Sequence, residues 1–376
     1  MDKFATITKH TSEVLTDDDL RALLDSGMPV KHYIGFEISG FLHIGSGIMS
    51  ALVIKDLQAA GVECNILLAD WHTWINDKLG GDMETIQRAA VGYFKEALKA
   101  SLISVGADVE NVNFILGTEF YHNNDKYWQS LIDVSKQLTL ARVVKSSTIM
   151  GRAEGENQIF ARLIYPPMQV NDIFTIGVNI AHAGMDQRKA HVIAREVATK
   201  LTVSPLKDAE GKNIKPIALH HPLIMGLLKP PQWPVDPSQL RSMLSEMKMS
   251  KSKPNSAVFM TDSPDEIRSK INKAFCPEGE VDYNPVLNWA EHLIFQGDEK
   301  EFVIKRPEKW GGDIVVNSYD ELESKFAAGD IHPMDLKAAV AEGIVQLLAP
   351  AREHFAQPEV KKVYDEFVEL YEANQK

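Results

Sequence analysis

The stretch HYIGFEISGFLHIGSGIMSALVIKDLQAAGVECNILLA, residues 32–69, decides the fold. His32-Tyr33-Ile34-Gly35-Phe36 is short, aromatic and β-branched, the composition of a strand. It runs into Gly40, Gly45 and Gly47, then into a helical stretch carrying Ile48, Leu52, Ile54 and Leu57. Cys64-Asn65-Ile66-Leu67-Leu68-Ala69 follows as an apolar run of buried-strand length. Strand, glycine-bearing turn, helix and strand, in that order, predict parallel pairing with the helix as the crossover.

Outward from this unit the alternation continues. A long amphipathic stretch from Asp82 to about Ile103 leads to another strand candidate, Val112-Asn113-Phe114-Ile115-Leu116-Gly117. The pattern predicts an α/β fold with a doubly wound parallel sheet. Upstream, residues 1–30 read as a polar helical lead-in, with Thr16-Asp17-Asp18-Asp19 as a helix start. Downstream, residues 204–240 are rich in proline and hold the sheet's last strand, Ile217 to Leu219, before a surface connection. From Asp262 the pattern is helical. Ser263-Pro264-Asp265-Glu266 opens one helix, and further segments fall at 285–296, 319–328, 333–348 and 358–374.

At about 150 residues per domain, 376 residues suggest two domains. Forty basic against 52 acidic residues give a net charge of −12, and 44% hydrophobic with 24% charged residues exclude a disordered chain. Cys64 and Cys276 stand far apart, which excludes a disulfide scaffold and a thiolate zinc site and fits a reducing cytosol. No apolar run approaches the ~20 residues of a membrane-spanning helix, and the first residues show no secretory apolar core. A cytoplasmic protein is the expectation. An acidic body can still carry a local RNA-binding patch. Lys136, Arg142, Lys145 and Arg152 form one acid-free stretch, equally compatible with a solvated helix face.

Three segments carry chemistry. In an open α/β sheet ligands sit beyond the carboxyl ends of the strands, where helix N-termini offer free N–H groups to phosphate. His43-Ile44-Gly45 lies at such a turn: the glycines admit a close approach, and the histidine can donate to a phosphoryl oxygen. Lys248-Met249-Ser250-Lys251-Ser252-Lys253-Pro254 makes a cationic loop suited to polyphosphate, or else a solvated linker. Tyr165-Pro166-Pro167-Met168-Gln169-Val170-Asn171-Asp172, if helical, sets Gln169 and Asp172 on one face with Tyr165 a turn earlier. With Gln187 these groups can converge on a small polar ligand; the alternative is that Asp172 caps a helix and Gln187 is exposed.

Taken together and in this order, the segments resemble the class I aminoacyl-tRNA synthetases, specifically the tyrosyl-tRNA synthetases of the archaeal and eukaryotic branch. The resemblance spans roughly residues 30 to 355. Beyond the segments above it rests on Tyr33-Ile34-Gly35-Phe36-Glu37, Gly184-Met185-Asp186-Gln187-Arg188-Lys189, Lys305-Arg306-Pro307-Glu308-Lys309-Trp310-Gly311-Gly312 and His332-Pro333-Met334-Asp335-Leu336-Lys337. It implies a Rossmann-type catalytic domain over 31–240 with a helical insertion near 118–165. A lysine loop and linker over 241–260 and a helical anticodon-binding domain over 261–376 would follow.

The resemblance also implies roles. Tyr33 and Asp172 match residues that hydrogen-bond the phenolic hydroxyl of tyrosine, and Tyr165, Gln169 and Gln187 match those that hold its α-amino group, with Glu37 in the same substrate site. Gly35, His43, Gly45 and Ser46 match the ATP signature, and Lys248, Ser250 and Lys251 the loop over the triphosphate; His43, Lys248 and Lys251 are the catalytic set. Trp310 and Asp335 match positions that receive the first anticodon base by stacking and by accepting hydrogen bonds, the general means of recognising an unpaired base. ATP, magnesium, tRNA(Tyr) and a homodimer formed through about 115–165 are implied as well, with no protein metal site.

This sequence departs from the family at Ser46, where a second histidine or asparagine is usual; a hydroxyl donates but carries no charge, which implies slower activation or a compensating donor. Ile38 replaces a frequent proline, and the insert at 229–240 is longer than usual. The competing assignments are a tryptophanyl-tRNA synthetase, which Tyr33 with Asp172 disfavours, a small-molecule adenylate-forming ligase, and an inactive RNA-binding relative.

Overall fold

A computed structural model describes residues 2–151, 159–236, 247–249, 253–296 and 301–374. A six-stranded sheet forms its centre, in the order β1 (Glu13–Leu15), β6 (Ile217–His221), β5 (Ile180–Gly184), β2 (Lys31–Phe36), β3 (Glu63–Leu68), β4 (Val112–Leu116). The five strands β2 to β6 run parallel, as the alternation predicts. The short β1 was not foreseen. It lies antiparallel on β6, so the sheet is mixed rather than wholly parallel. Numbered among themselves, the parallel strands have the order 3-2-1-4-5, with the reversal between β2 and β5; crossovers therefore cover both faces.

The pleat assigns each face its partner. Ile34, Cys64, Ile66, Ile180, Ile217 and Leu219 pack into the larger core with the helix Ile44–Ala59 and the helix Lys95–Val105. Tyr33, Leu67 and Ala181 point the other way, toward the helices Tyr165–Ile176 and Arg188–Val197. The crossover helix Ile44–Ala59 is buried on most sides, which is why its sequence reads as nearly continuous apolar text.

The helix start at Thr16 is real: its hydroxyl accepts from the Asp19 amide, opening Asp17–Asp25. Ser263 and Glu266 close a reciprocal capping box on Pro264–Asn272. The stretch from Asp82 is interrupted by a π-helical turn at Ala90–Phe94 before Lys95–Val105. In the C-terminal part the expected helices appear as Pro285–Trp289 with its π-helical extension, Tyr319–Ala327, Pro333–Leu347 and Pro358–Ala373. An unforeseen hairpin, β7 (Phe302–Ile304) with β8 (Ile314–Val316), interrupts them. The last helix folds back: Phe367 stacks on Tyr93 at 4.4 Å between centroids, and Phe41 meets Tyr371 edge-on at 5.0 Å. Trp289 Nε1–H donates to the Met225 carbonyl at 2.7 Å, a second tie between the two parts. Among the described residues no helix is long and apolar enough to cross a membrane, and both cysteines are buried and unbridged.

Candidate active site

A cavity of about 900 Å³ opens where β2 and β5 diverge, at the carboxyl ends of the strands and the reversal of strand order. β2 delivers Tyr33 and Gly35 to it. A Cβ on Gly35 would stand 2.8 Å from Tyr33 Oη, so only glycine lets the phenol lie back over the strand end. The chain then turns into the helix Ile44–Ala59, whose N-cap is His43: its Nδ1 accepts from the Ser46 amide at 3.2 Å, and the Ser46 hydroxyl lies 3.3 Å from its Nε2. At Gly45 a Cβ would come 3.1 Å from Met249 Sδ, which places the lysine segment directly over the helix start. Two backbone bonds fix this arrangement, Ile44 N–H to Val258 O and Met260 N–H to Leu42 O, each 3.0 Å. Lys248 lines the cavity with its Nζ 3.0 Å from Asp186 Oδ2, which disfavours the solvated-linker alternative for that residue. Ser250, Lys251 and Arg152 lie outside the described residues.

The opposite wall comes from Tyr165–Ile176, helical as the spacing predicts, with Tyr165 at its first position. Tyr165 Oη donates to Glu37 Oε2 at 3.4 Å, and Asn76 Nδ2 donates to the same oxygen at 2.8 Å. Gln169 Nε2 donates to Gln187 Oε1 at 3.1 Å, while Gln187 Nε2 donates to the Ile149 carbonyl at 3.0 Å. Gln187 is therefore a half-buried wall residue rather than an exposed one. Gln169 Oε1 is buried without a hydrogen-bond partner among the described residues.

Beneath this wall lies Asp172, fully buried in mid-helix and not a cap. Its hydrogen bonds within the protein go to two other phenols, with Tyr33 close by. Asp172 Oδ1 accepts from Tyr127 Oη at 2.9 Å and Tyr121 Oη at 3.1 Å, while Tyr33 is near enough that the carboxylate adds to the upward shift of its phenol, burial being the larger cause. Oδ2 has no hydrogen bond among the described residues; His72 Nε2 stands 3.5 Å from it. Burial pushes Asp172 up to about 7, the two tyrosine hydroxyls pulling it down only in part, and burial lowers His72 to about 4. A neutral imidazole that lines the cavity and an under-satisfied carboxyl oxygen just behind it thus lie side by side.

His43, Gly45, Ser46, Lys248, Tyr33, Gly35, Glu37, Tyr165, Gln169 and Gln187 all line this one cavity, with Asp172 just behind it. Trp310 and Asp335 do not. Trp310 is two-thirds exposed in the β7–β8 connection, with Lys309 Nζ 5.5 Å over its ring, and Asp335 is half-buried in the first turn of Pro333–Leu347. Arg306, on the same connection, donates from its Nη1 to the Asp330 carbonyl at 3.0 Å and so holds the hairpin beside that helix start. Of the basic stretch, Arg142 is occupied by Glu196 at 2.7 Å. Residues the sequence did not single out also reach the site: His72, His221 and Tyr371 line the cavity, and Tyr121 and Tyr127 hold Asp172; Asp186, quoted within its segment without a role, lines it too. Among the described residues no cluster of three metal-ligating side chains exists.

The family described as tRNA synthetases class I (W and Y) matches residues 25–349. A tyrosine–tRNA ligase of Thermococcus sibiricus is 58% identical over 348 residues, covering 92% of each chain, and one of Pyrococcus abyssi is 55% identical over 350 residues, covering 93% of each. Among solved structures, the tyrosyl-tRNA synthetase of Pyrococcus horikoshii in complex with L-tyrosine superposes with a TM-score of 0.93 at 51% identity, covering 99% of this chain and 100% of that one. The tryptophanyl-tRNA synthetase of Aeropyrum pernix shares the fold alone, at 17% identity and a TM-score of 0.64 over 94% of this chain and 84% of that one.

Proposed function

This chain belongs to the class I tRNA synthetases of the tryptophan and tyrosine type, and from that membership we infer that it is a tyrosine–tRNA ligase. It activates L-tyrosine with ATP and transfers the tyrosyl group to the 3′-terminal adenosine of tRNA(Tyr). The observation that carries the choice of amino acid is Asp172: a buried carboxyl with one oxygen held by two tyrosines and the other left open suits a ligand that brings a hydroxyl donor. Phenylalanine would leave that oxygen unpaired, and an indole offers only the N–H of its five-membered ring, which stands elsewhere than a phenol's para hydroxyl.

In the first step the tyrosine carboxylate attacks the α-phosphorus of ATP in line and pyrophosphate leaves. The protein's part is placement and charge. Tyr33 and Asp172 take the phenol; Tyr165, Gln169 and Gln187, with Glu37 behind Tyr165, orient the backbone end. His43, Gly45 and Ser46 at the helix start, with Lys248 and Lys251, stabilise the phosphates as charge builds, binding more tightly in the transition state than before it. Lys248 must leave Asp186 to do so. In the second step a terminal ribose hydroxyl of the tRNA attacks the activated carbonyl; the tyrosyl ester forms, AMP leaves with the electrons of the broken acyl–phosphate bond, and the hydroxyl proton is released.

Magnesium would arrive on the nucleotide, held by phosphate and water, and would neutralise charge on the polyphosphate. Residues 1–30 brace the sheet of a catalytic domain running to about 240, and 261–376 form the anticodon-binding part, where Trp310 stacks on the first anticodon base and Asp335 reads its edge. The exposed Ile132, Leu140, Val144 and Phe160 favour a homodimer through the 115–165 region. The enzyme is cytoplasmic.

Tyrosine alone among the twenty amino acids should drive ATP–pyrophosphate exchange, and purified tRNA should become charged. Exchange driven only by tryptophan overturns the assignment, and exchange without charging points to a small-molecule ligase.

A further inference from the structure

Three buried histidines form a diagonal across the α/β sheet on the face of the helix Ile44–Ala59. His32 sits early in β2, His182 in the middle of β5, and His221 at the carboxyl end of β6, where it lines the cavity. His32 Nε2 lies 3.2 Å from His182 Nδ1, and His182 Nε2 lies 2.8 Å from His221 Nδ1. All three are buried, and burial lowers each, His32 to about 3 and His221 to about 4, so the rings are neutral near pH 7. A neutral imidazole carries one N–H, so in such a chain the position of one hydrogen dictates all the others.

Only two directions exist, and both ends of the chain choose the same one. With the hydrogen on His32 Nε2, each ring donates to the next, and the last N–H, on His221 Nε2, faces the cavity. The opposite direction puts an N–H on His32 Nδ1, which is buried and has no hydrogen-bond partner among the described residues; a buried orphan donor is the rarer kind of defect. That direction would also turn the His221 Nε2 lone pair toward Asp186. Asp186 Oδ1 and His221 Nε2 flank the same point, 3.0 and 3.3 Å from where a Gly184 Cβ would stand, and the Asp186 charge acts on His221. A carboxylate attracts an N–H there and repels a lone pair.

We propose that the His32–His182–His221 chain locks His221 as a neutral Nε2–H donor, and that this donor binds the nucleoside portion of ATP. A neutral donor beside the Asp186 carboxylate suits an uncharged polar group; a triphosphate would meet the carboxylate's repulsion and belongs with Lys248 and His43. His221 is thus a further binding residue, and His182 and His32 are positioning residues acting through it. The assignment of the ligand rests on the adenylation reaction inferred above.

Two measurements test it. Long-range ¹H–¹⁵N correlation on histidine-labelled, ligand-free protein at pH 7.5 should show His32, His182 and His221 all protonated at Nε2 and bare at Nδ1. A Nδ1-protonated or imidazolium His221 overturns the proposal. In tyrosine-dependent ATP–pyrophosphate exchange, His221→Leu should raise the KM for ATP about tenfold, with kcat and the KM for tyrosine within about twofold, and His221→Gln should restore most of the loss. An unchanged KM for ATP, or an equal loss against both substrates, overturns it. Parent protein that exchanges nothing with tyrosine would instead defeat the adenylation assignment, and the tautomer of His221 would still be measured.

Discussion

Asp172 carries the discrimination at the residue scale, and its two hydroxyl donors decide how well. Both bond Oδ1, so removing one weakens the clamp without opening a new cavity. Tyr127→Phe should cost about 1–2 kcal/mol of tyrosine binding, a KM for tyrosine higher by roughly tenfold, and should narrow the preference over phenylalanine; exchange kinetics with both amino acids check this. A wild-type preference in that variant would mean that Tyr127 merely fills space. Asp172 itself is legible in the sequence because it shares a helix face with Gln169 and Tyr165. Its holders are not. Tyr121 ends one short helix and Tyr127 stands in the first turn of the next, each beside another aromatic, Phe120 or Trp128, so both look like core aromatics. Which oxygen a hydroxyl meets is a fact of tertiary packing, to which spacing along the chain is blind. His72 is hidden for the same reason, between Trp71 and Thr73 in a six-residue helix.

Among the elements, those with a long period or an explicit cap were legible, and the short ones were not. Pro333–Leu347 and Pro358–Ala373 announce themselves by proline at the start and a sustained apolar stripe. β1, β7 and β8 are three residues each, too short for an alternation to show, and β5 reads as a continuation of the helix before it until Gly177 breaks the pattern at φ 78°. The β7–β8 hairpin matters because it presents Trp310 at the surface, well outside the cavity. Trp310→Ala should therefore raise the KM for tRNA in the charging assay severalfold and leave pyrophosphate exchange at the parental rate. A matching loss in both would show that the indole supports the fold instead.

For the molecule as a whole, buried histidines dominate the response to acid. Burial depresses His32 and His191 from their ordinary 6.5 to about 3, His72 and His221 to about 4, and lowers His182 and His220 as well. Between 6.5 and those folded values the unfolded chain binds more protons, so stability falls as the pH drops through that window. Asp172, raised to about 7, acts in the opposite sense, gaining stability as the pH falls from 7 toward its ordinary 3.8, and Asp70, Asp262 and Glu291, which burial also raises, act with it; the lowered histidines, His292 among them, outnumber these four. The midpoint of thermal unfolding should therefore decline steadily from pH 7 to pH 4.5; a flat profile would mean that these imidazoles are not held neutral. At this scale the α/β class and the order of the two parts were legible, because periodicity and glycine placement are global features. The folding back of the last helix onto Tyr93 was not, since nothing in Pro358–Ala373 names its partner.

The little strand Glu13–Leu15 has a consequence out of proportion to its length. It occupies the outer ladder of β6, and its Glu13 holds both Arg188 and His220 at 2.8 Å. A chain started after Leu15 would leave that ladder bare for any other molecule's backbone to join, beside the strand that carries His221. Such a shortened protein should turn cloudy on standing, scattering light at concentrations where the intact chain stays clear. An appendage fused ahead of Asp2 would need slack enough not to tug this seam open.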